Sequence, residues 1–296
     1  ATDLYVTEPK IKIWKLPKDD DDVYDKVIKI INKLRKCQWE LVQVKKRTIK
    51  RNPPPPYITS TLQRDASTKL SGWNIERIMN VAQRLYEGGH ITYMRTDSTV
   101  LCNEAHEKIK SAVDDVYGEE YYTQRLNTNN STSAQEAHEA IRPTVFTTME
   151  LEDSEQNELY KLIWKRAVSS QMATAVIEST QLFLSPYTRK GSLDYLMVGS
   201  VSRIKFDGYM ILMDKEKDVV KFKVPNALED VIVQRNSLKM KESMKMPPPR
   251  YNEASLVETM EKLGIGRPST YVNSIKRILE KGYVVTGNVS GKKKTE

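Results

Sequence analysis

Four consecutive prolines, Pro53 to Pro56, set the first constraint on this chain. Neither a helix interior nor a central strand accommodates such a run, because each proline lacks a backbone donor and has its φ fixed. The run is therefore a stiff, extended connector and a division in the chain. Pro247 to Pro249 make a second one near the C-terminal end.

Apolar periodicity changes across these points. Asp19 to Asp22 precede Val27, Ile30, Ile31 and Leu34 at helical spacing, which predicts a helix over 19–36 with acids at its positive end. Trp39 to Lys50 mixes apolar and basic positions and reads as a strand. From Thr59 to about Met172 the pattern is mostly helical. One helix carries Ile75, Ile78, Met79, Ala82, Leu85 and Tyr86 and stops at Gly88-Gly89. Another begins near Ser98 or Asn103, and a third is capped by Ser154. His90 to Tyr93 is short and strand-like, and the polar stretch 126–134 reads as a loop. From Glu178 to Arg235 short β-rich segments follow: Gln181 to Leu184, Tyr195 to Val201, Tyr209 to Met213, Val219 to Val224 and Val231 to Gln234. Two helices, Ala254 to Lys262 and Tyr271 to Leu279, end the pattern.

At 296 residues the chain can build two or three compact units. With 39% hydrophobic and 29% charged residues it is neither a disordered nor a membrane sequence, and no apolar run is long enough to span a bilayer. The net charge of +8 suits a polyanion, most simply nucleic acid. Cys37 and Cys102, far apart, make neither a disulfide framework nor, with the histidines, a metal-ligand spacing, and a reducing intracellular compartment fits.

Three segments carry chemistry. Ile91-Thr92-Tyr93-Met94-Arg95-Thr96-Asp97-Ser98 puts a tyrosine two residues before an arginine. A phenol has a pKa of about 10, so as a nucleophile it needs positive charge nearby and a pre-placed electrophile. Arg95 supplies that charge in a form that grips phosphate, and in an extended peptide it projects to the same face as Tyr93. A core tyrosine beside a surface arginine fits the same pattern. Gln135 to Thr144 places His138 and Arg142 in what reads as a short helical stretch ended near Pro143; an ordinary solvated helix fits it too. Leu263-Gly264-Ile265-Gly266-Arg267-Pro268-Ser269-Thr270-Tyr271 reads as a tight turn between helices. Pro268 falls in the next helix's first turn, and free N–H groups beside Arg267, Ser269 and Thr270 form a phosphate seat. A hairpin without ligand is the alternative.

Together these segments resemble the type IA DNA topoisomerases, as do Pro53-Pro54-Pro55-Pro56-Tyr57-Ile58-Thr59-Ser60-Thr61-Leu62-Gln63, Ala82 to Gly88, Trp164-Lys165-Arg166 and Ser170-Gln171-Met172, all in the same order. The resemblance implies that Tyr93 attacks single-stranded DNA and becomes joined to its 5′ phosphate. Strand passage and resealing then relax negatively supercoiled DNA without ATP. It implies that Arg95 contacts the scissile phosphate, that His138 lies near the catalytic centre, and that Gln83, Thr96, Asp97, Arg142, Arg267, Ser269 and Thr270 face DNA.

The family's Toprim domain, with its acidic magnesium site, has no counterpart before Thr59. The chain thus reads as a fragment that cleaves DNA poorly alone. Mg2+ is expected in the parent enzyme and no metal in this chain. The implied fold is α+β and multidomain: a β-rich gate arch from 1–58 and 178–240, a helical tyrosine domain at 59–177, and a helical, incomplete DNA-binding part at 241–296. Hinges are expected near 53–60 and 172–180. The implied partners are single-stranded DNA, supercoiled duplex and the Toprim domain, in a monomeric, DNA-associated, intracellular protein without a membrane anchor. A winged-helix-like DNA reader or a tyrosine recombinase would leave, respectively, the Tyr93 segment idle or its early position unexplained.

Overall fold

The structure is a computed structural model that describes residues 10–11, 23–127, 139–188, 191–192, 196–213, 232–233 and 248–287. It is α+β and divides into two compact units. One comprises residues 1–52 and 174–247, the other 53–173 and 248–296. The acidic run Asp19 to Asp22, the strand expected at Val219 to Val224 and His138 lie outside the described residues.

The first unit is an antiparallel sheet with a helix on it. Its long strands are β2 (Gln38–Arg51), β3 (Ala175–Thr188) and β5 (Met197–Phe206), with β3 in the middle. Two-residue strands, β1 (Lys10–Ile11), β4 (Gly191–Ser192) and β6 (Ile232–Val233), pair with β5, β3 and β2 respectively. Helix α1 (Val23–Leu34) contributes Leu34 and the half-buried Ile30 to a core with Trp39, Leu41, Leu182, Leu184 and Met197. In register, Leu41 faces Leu184 and Leu184 faces Met197, so these side chains share one side of the sheet. A bulge between Leu41 and Gln43 leaves Val42 exposed and resets the alternation, which puts Val44 opposite Leu182.

Two expectations for this unit need correcting. Gln181 to Leu184 is the middle of one 14-residue strand rather than a short segment. Tyr209 to Met213 is not a strand. Gly208 takes φ +50°, and the bonds from Met210 N to Asp207 O and Met213 N to Met210 O wind Gly208–Leu212 into a 3-10 turn. Apolar composition alone had suggested a strand; the glycine before it decides otherwise.

The second unit is helical: α2 (Thr59–Lys69), α3 (Ile75–Glu87), α4 (Asn103–Tyr117), α5 (Ser154–Ser170), α6 (Glu253–Lys262) and α7 (Tyr271–Glu280). Asn74 caps α3 by accepting from Arg77 N at 2.8 Å, and Ile75, Ile78, Ala82 and Leu85 fill its buried face. The cap of α5 is Asp153, which accepts from Gln156 N at 2.7 Å; Ser154 is the first helical residue instead. Helices α6 and α7, expected as a part of their own, fall in this unit: Glu253 accepts from Ile75 N at 3.2 Å, and α6 packs against α2. Pro268 lies in the turn before α7 rather than in its first turn, with the N–H groups of Thr270 and Tyr271 both bonded to Arg267 O.

Candidate active site

Chain entry into the helical unit prepares the site. Tyr57 is buried, its hydroxyl donates to Asp65 Oδ2 at 3.0 Å, and the Arg166 guanidinium stacks on its ring at 4.6 Å. Arg166 also pairs with Asp65 at 3.3 Å and donates to Pro55 O at 2.7 Å, so the end of the proline run is fixed from α5. Burial first, and then the Asp65 carboxylate, push the Tyr57 hydroxyl far above the ordinary phenol range, so this tyrosine is no nucleophile.

Two threonines then hold the segment that carries Tyr93. On one side, Thr59 at the start of α2 uses its hydroxyl against Met94 O (2.8 Å) and Thr96 O (3.1 Å), while Thr96 N donates back to it at 2.9 Å. Thr59 N adds a bond to Thr96 O at 2.9 Å. On the other side, Thr92 Oγ1 donates to Ala140 O at 2.7 Å and accepts from Arg142 N at 2.9 Å, and Thr92 N donates to Arg142 O at 2.9 Å. Pinned at 92 and at 94–96, the segment bends at Thr92, Met94 and Arg95 rather than running extended, and burial alternates along it. Met94 and Thr96 are buried, while Tyr93 and Arg95 are exposed, Tyr93 to 44%. Among the described residues no carboxylate pairs with Arg95. A phenol and an uncommitted guanidinium thus face outward two residues apart.

Tyr86, exposed to 42%, meets the Tyr93 ring edge-on with centroids 5.2 Å apart. The apolar stripe of α3 had absorbed it as a core position. Its role, like those of Thr59 and Thr92, was missed. Only the seven-residue spacing from Tyr86 to Tyr93 hinted at it, and pattern alone cannot tell an exposed ring from a buried one.

The other expected site residues divide. Gln83 is half-buried and donates to Glu87 at 2.7 Å. Asp97 is half-buried. On α7, burial first and then Glu261 push the Tyr271 hydroxyl upward, while Arg267 opposes them. Arg267, Ser269 and Thr270 are exposed on the α6–α7 turn, where Thr270 Oγ1 accepts from Arg267 N at 2.8 Å. Thr96 is a correction: it is buried and its hydroxyl accepts from Ser98 N at 3.0 Å, so it shapes the segment and is closed to DNA. Arg142 is another. Its guanidinium grips both Glu139 oxygens at 2.7 and 2.9 Å and donates to Pro143 O at 2.9 Å, so its charge is already matched. The described end of its segment is also extended rather than helical, because Ile141 bridges to Tyr57 and Pro143 to Ile91. Among the described residues no group of three or more His, Cys, Asp or Glu is placed to hold a metal ion.

A family model described as DNA topoisomerase matches residues 7–294. The chain is a member of the type IA DNA topoisomerase family. A mimivirus protein (Acanthamoeba polyphaga mimivirus) named DNA topoisomerase 1 type prokaryotic is 41% identical over 291 residues, covering 90% of this chain and 33% of that protein. DNA topoisomerase 1 of Thermotoga maritima is 42% identical over 259 residues, covering 82% of this chain and 40% of its own length. The solved structure of full-length topoisomerase I from Thermotoga maritima superposes with a TM-score of 0.75 at 35% identity, covering 93% of this chain and 45% of that one. This type IA chain therefore spans roughly a third to two fifths of the length of these curated relatives. None of its described helices is long and apolar enough to cross a membrane.

Proposed function

We propose that this chain carries the nucleophilic tyrosine of a type IA topoisomerase, and that Tyr93 breaks and reseals one strand of DNA. The observation that carries the reading is the exposed Tyr93–Arg95 pair, with Met94 between them buried and the segment held by Thr59 and Thr92.

In the cleavage step the Tyr93 phenolic oxygen forms a bond to phosphorus as the bond from phosphorus to the 3′ oxygen breaks. The phenolic proton leaves, and the departing 3′ oxygen takes up a proton. The product is a 5′-phosphotyrosine and a free 3′ hydroxyl, which later attacks the same phosphorus and restores the strand. One phosphodiester replaces another, so no ATP is required. Arg95 grips the non-bridging oxygens and opposes the negative charge that grows on them in the transition state. The threonine brackets keep the two side chains in that relation before DNA arrives, which removes an ordering cost from the reaction itself. Between cleavage and resealing, passage of another strand relaxes negative supercoils.

An arch built on the sheet and DNA contact by the turn between α6 and α7 belong to the same proposal, as do a Toprim partner, a monomeric state and an intracellular, DNA-associated setting. Magnesium belongs to the parent enzyme on this reading. Among the described residues no group of three or more His, Cys, Asp or Glu is placed to hold it.

The deciding experiment joins this chain to a metal-binding Toprim domain and incubates it with labelled single-stranded DNA and magnesium before denaturation. Protein bonded to a DNA 5′ end is expected, and Tyr93→Phe should give none. A 3′ adduct, or an adduct that survives in Tyr93→Phe, would end the proposal.

A further inference from the structure

Arg166, near the end of α5, turns its guanidinium onto the entry of the chain into the helical unit. Its side chain is only 11% exposed. Nε donates to Pro55 O at 2.7 Å, Nη1 meets Asp65 Oδ2 at 3.3 Å, and the guanidinium carbon stands 4.6 Å over the Tyr57 ring. Charge balance does not require it there. Asp65 is also met by Arg64 at 3.3 Å and Lys69 at 3.7 Å, so its carboxylate keeps two cations without Arg166. What Arg166 adds is geometry: one planar group fixes a carbonyl, a carboxylate and a ring together.

The residues it fixes are the common root of both threonine brackets. Tyr57 O accepts from Ile141 N at 2.9 Å, and Tyr57 and Ile141 form an antiparallel bridge. Ile141 lies between Ala140 and Arg142, the two residues that Thr92 holds on one side of Tyr93. Thr59, which holds Met94 and Thr96 on the other side, follows Tyr57 with only Ile58 between them. A displacement of Tyr57 is therefore passed to both ends of the segment that carries Tyr93. The stiff run Pro53 to Pro56 ends against Tyr57 and would push on it directly.

On the reading that Tyr93 is the nucleophile, we infer that Arg166 is a positioning residue for the reaction. By holding Pro55 and Tyr57 against α5 it sets the register of both brackets, and with it the relation of Tyr93 and Arg95 to the phosphate. Arg166 acts through Tyr57 and not on the phosphate itself. A misplacement of about 1 Å at the reacting atoms can cost about 10²-fold in rate.

Arg166→Lys and Arg166→Gln test this. Lysine keeps a cation for Asp65, but one ammonium cannot also cover the ring and the carbonyl. Amide hydrogen exchange in this chain should show loss of protection at Thr59, Thr96, Ile141 and Arg142 in both variants. The amides of Ile109 and Val113 on α4 should keep theirs. In the Toprim-joined protein, single-turnover adduct formation at saturating DNA should slow about 10- to 100-fold. The DNA concentration at half saturation should stay that of the parent, and Arg166→Lys should melt close to it. Arg77→Gln is the control. Arg77 also stacks on a ring, Trp73 at 4.5 Å, and pairs with an acid, Glu155 at 2.8 Å, but among the described residues it touches neither bracket. It should change neither readout. Protection retained at all four amides overturns the inference, as does a parent-like adduct rate in both Arg166 variants. An unreactive parent ends the Tyr93 reading and this inference together; a reactive parent with parent-like variants ends this inference alone.

Discussion

Thr59 shows how much of the site depends on a single hydroxyl. It meets two buried carbonyls and one N–H on either side of Arg95. Thr59→Val keeps the shape, and its N–H still reaches Thr96 O, but it removes the hydroxyl from Met94 O and Thr96 N, at an expected cost of about 1–3 kcal/mol in denaturant unfolding. Thr59→Ser should recover most of that. Adduct formation should fall with Thr59→Val beyond what stability explains, because Tyr93 and Arg95 lose their common frame. Arg95→Ala should slow adduct formation about 10²–10³-fold at unchanged stability, as removal of one preorganised donor does elsewhere. A rate within a few-fold of the parent's would show that Arg95 does not meet the phosphate. Tyr86→Leu keeps an apolar contact but removes the ring edge against Tyr93. Tyr93 and Arg95 were singled out in the sequence by the family resemblance of their segment, since residue type and a two-residue spacing alone also fit a core tyrosine beside a surface arginine. Thr59 and Thr92 were not, since their meaning lies in bonds 35 to 50 residues away along the chain.

At the level of elements, long periodic segments were readable and short ones were not. The stripe of α3 and the paired length of β2 follow from side-chain period. The stretch ending at Arg142 and the Gly208 turn have too few residues for a period to develop, and partners from elsewhere decided their form. Glycines set the α6–α7 connection, where Gly264 and Gly266 have φ of +69° and +80°. Either alanine substitution should cost about 1–2 kcal/mol from backbone strain alone. Gly266→Ala should cost more than Gly264→Ala. Its new Cβ would lie 3.2 Å from Thr270 Oγ1 and 3.3 Å from the Tyr271 ring, whereas at Gly264 nothing stands within 4 Å. Comparative thermal melts would show the order, and a reversed order would mean that the turn relaxes freely.

For the molecule as a whole, acid sensitivity should have an identifiable source. His106 is buried on α4 with Nδ1 unpartnered, and burial pulls its pKa below the usual 6.5, with Gln171 and Glu139 pulling weakly the other way. The folded state therefore resists a proton that the unfolded chain accepts. Stability is unaffected above pH 6.5 and declines as the pH falls from there toward the lowered value. His106→Leu should flatten that decline in melts compared between pH 8 and pH 5.5. If wild type and variant decline in parallel, another group is responsible. Glu139, held below its usual 4.5 by Arg142 and Cys102 N–H despite its burial, destabilises only at lower pH, when its own proton arrives.

The sheet closes on itself where the helical segment leaves it. Arg51 pairs with Ala175, and just beyond them Thr174 donates to Asn52 at 2.8 Å. To the ladder, everything from Pro53 to Ala173 is a single hairpin loop of unusual size. The entropy of closing a loop grows only with the logarithm of its length, so the sheet is almost indifferent to what is threaded through that gap. A tight turn spliced between Asn52 and Thr174 would leave β2 and β3 in register, and a bulkier graft there would do the same.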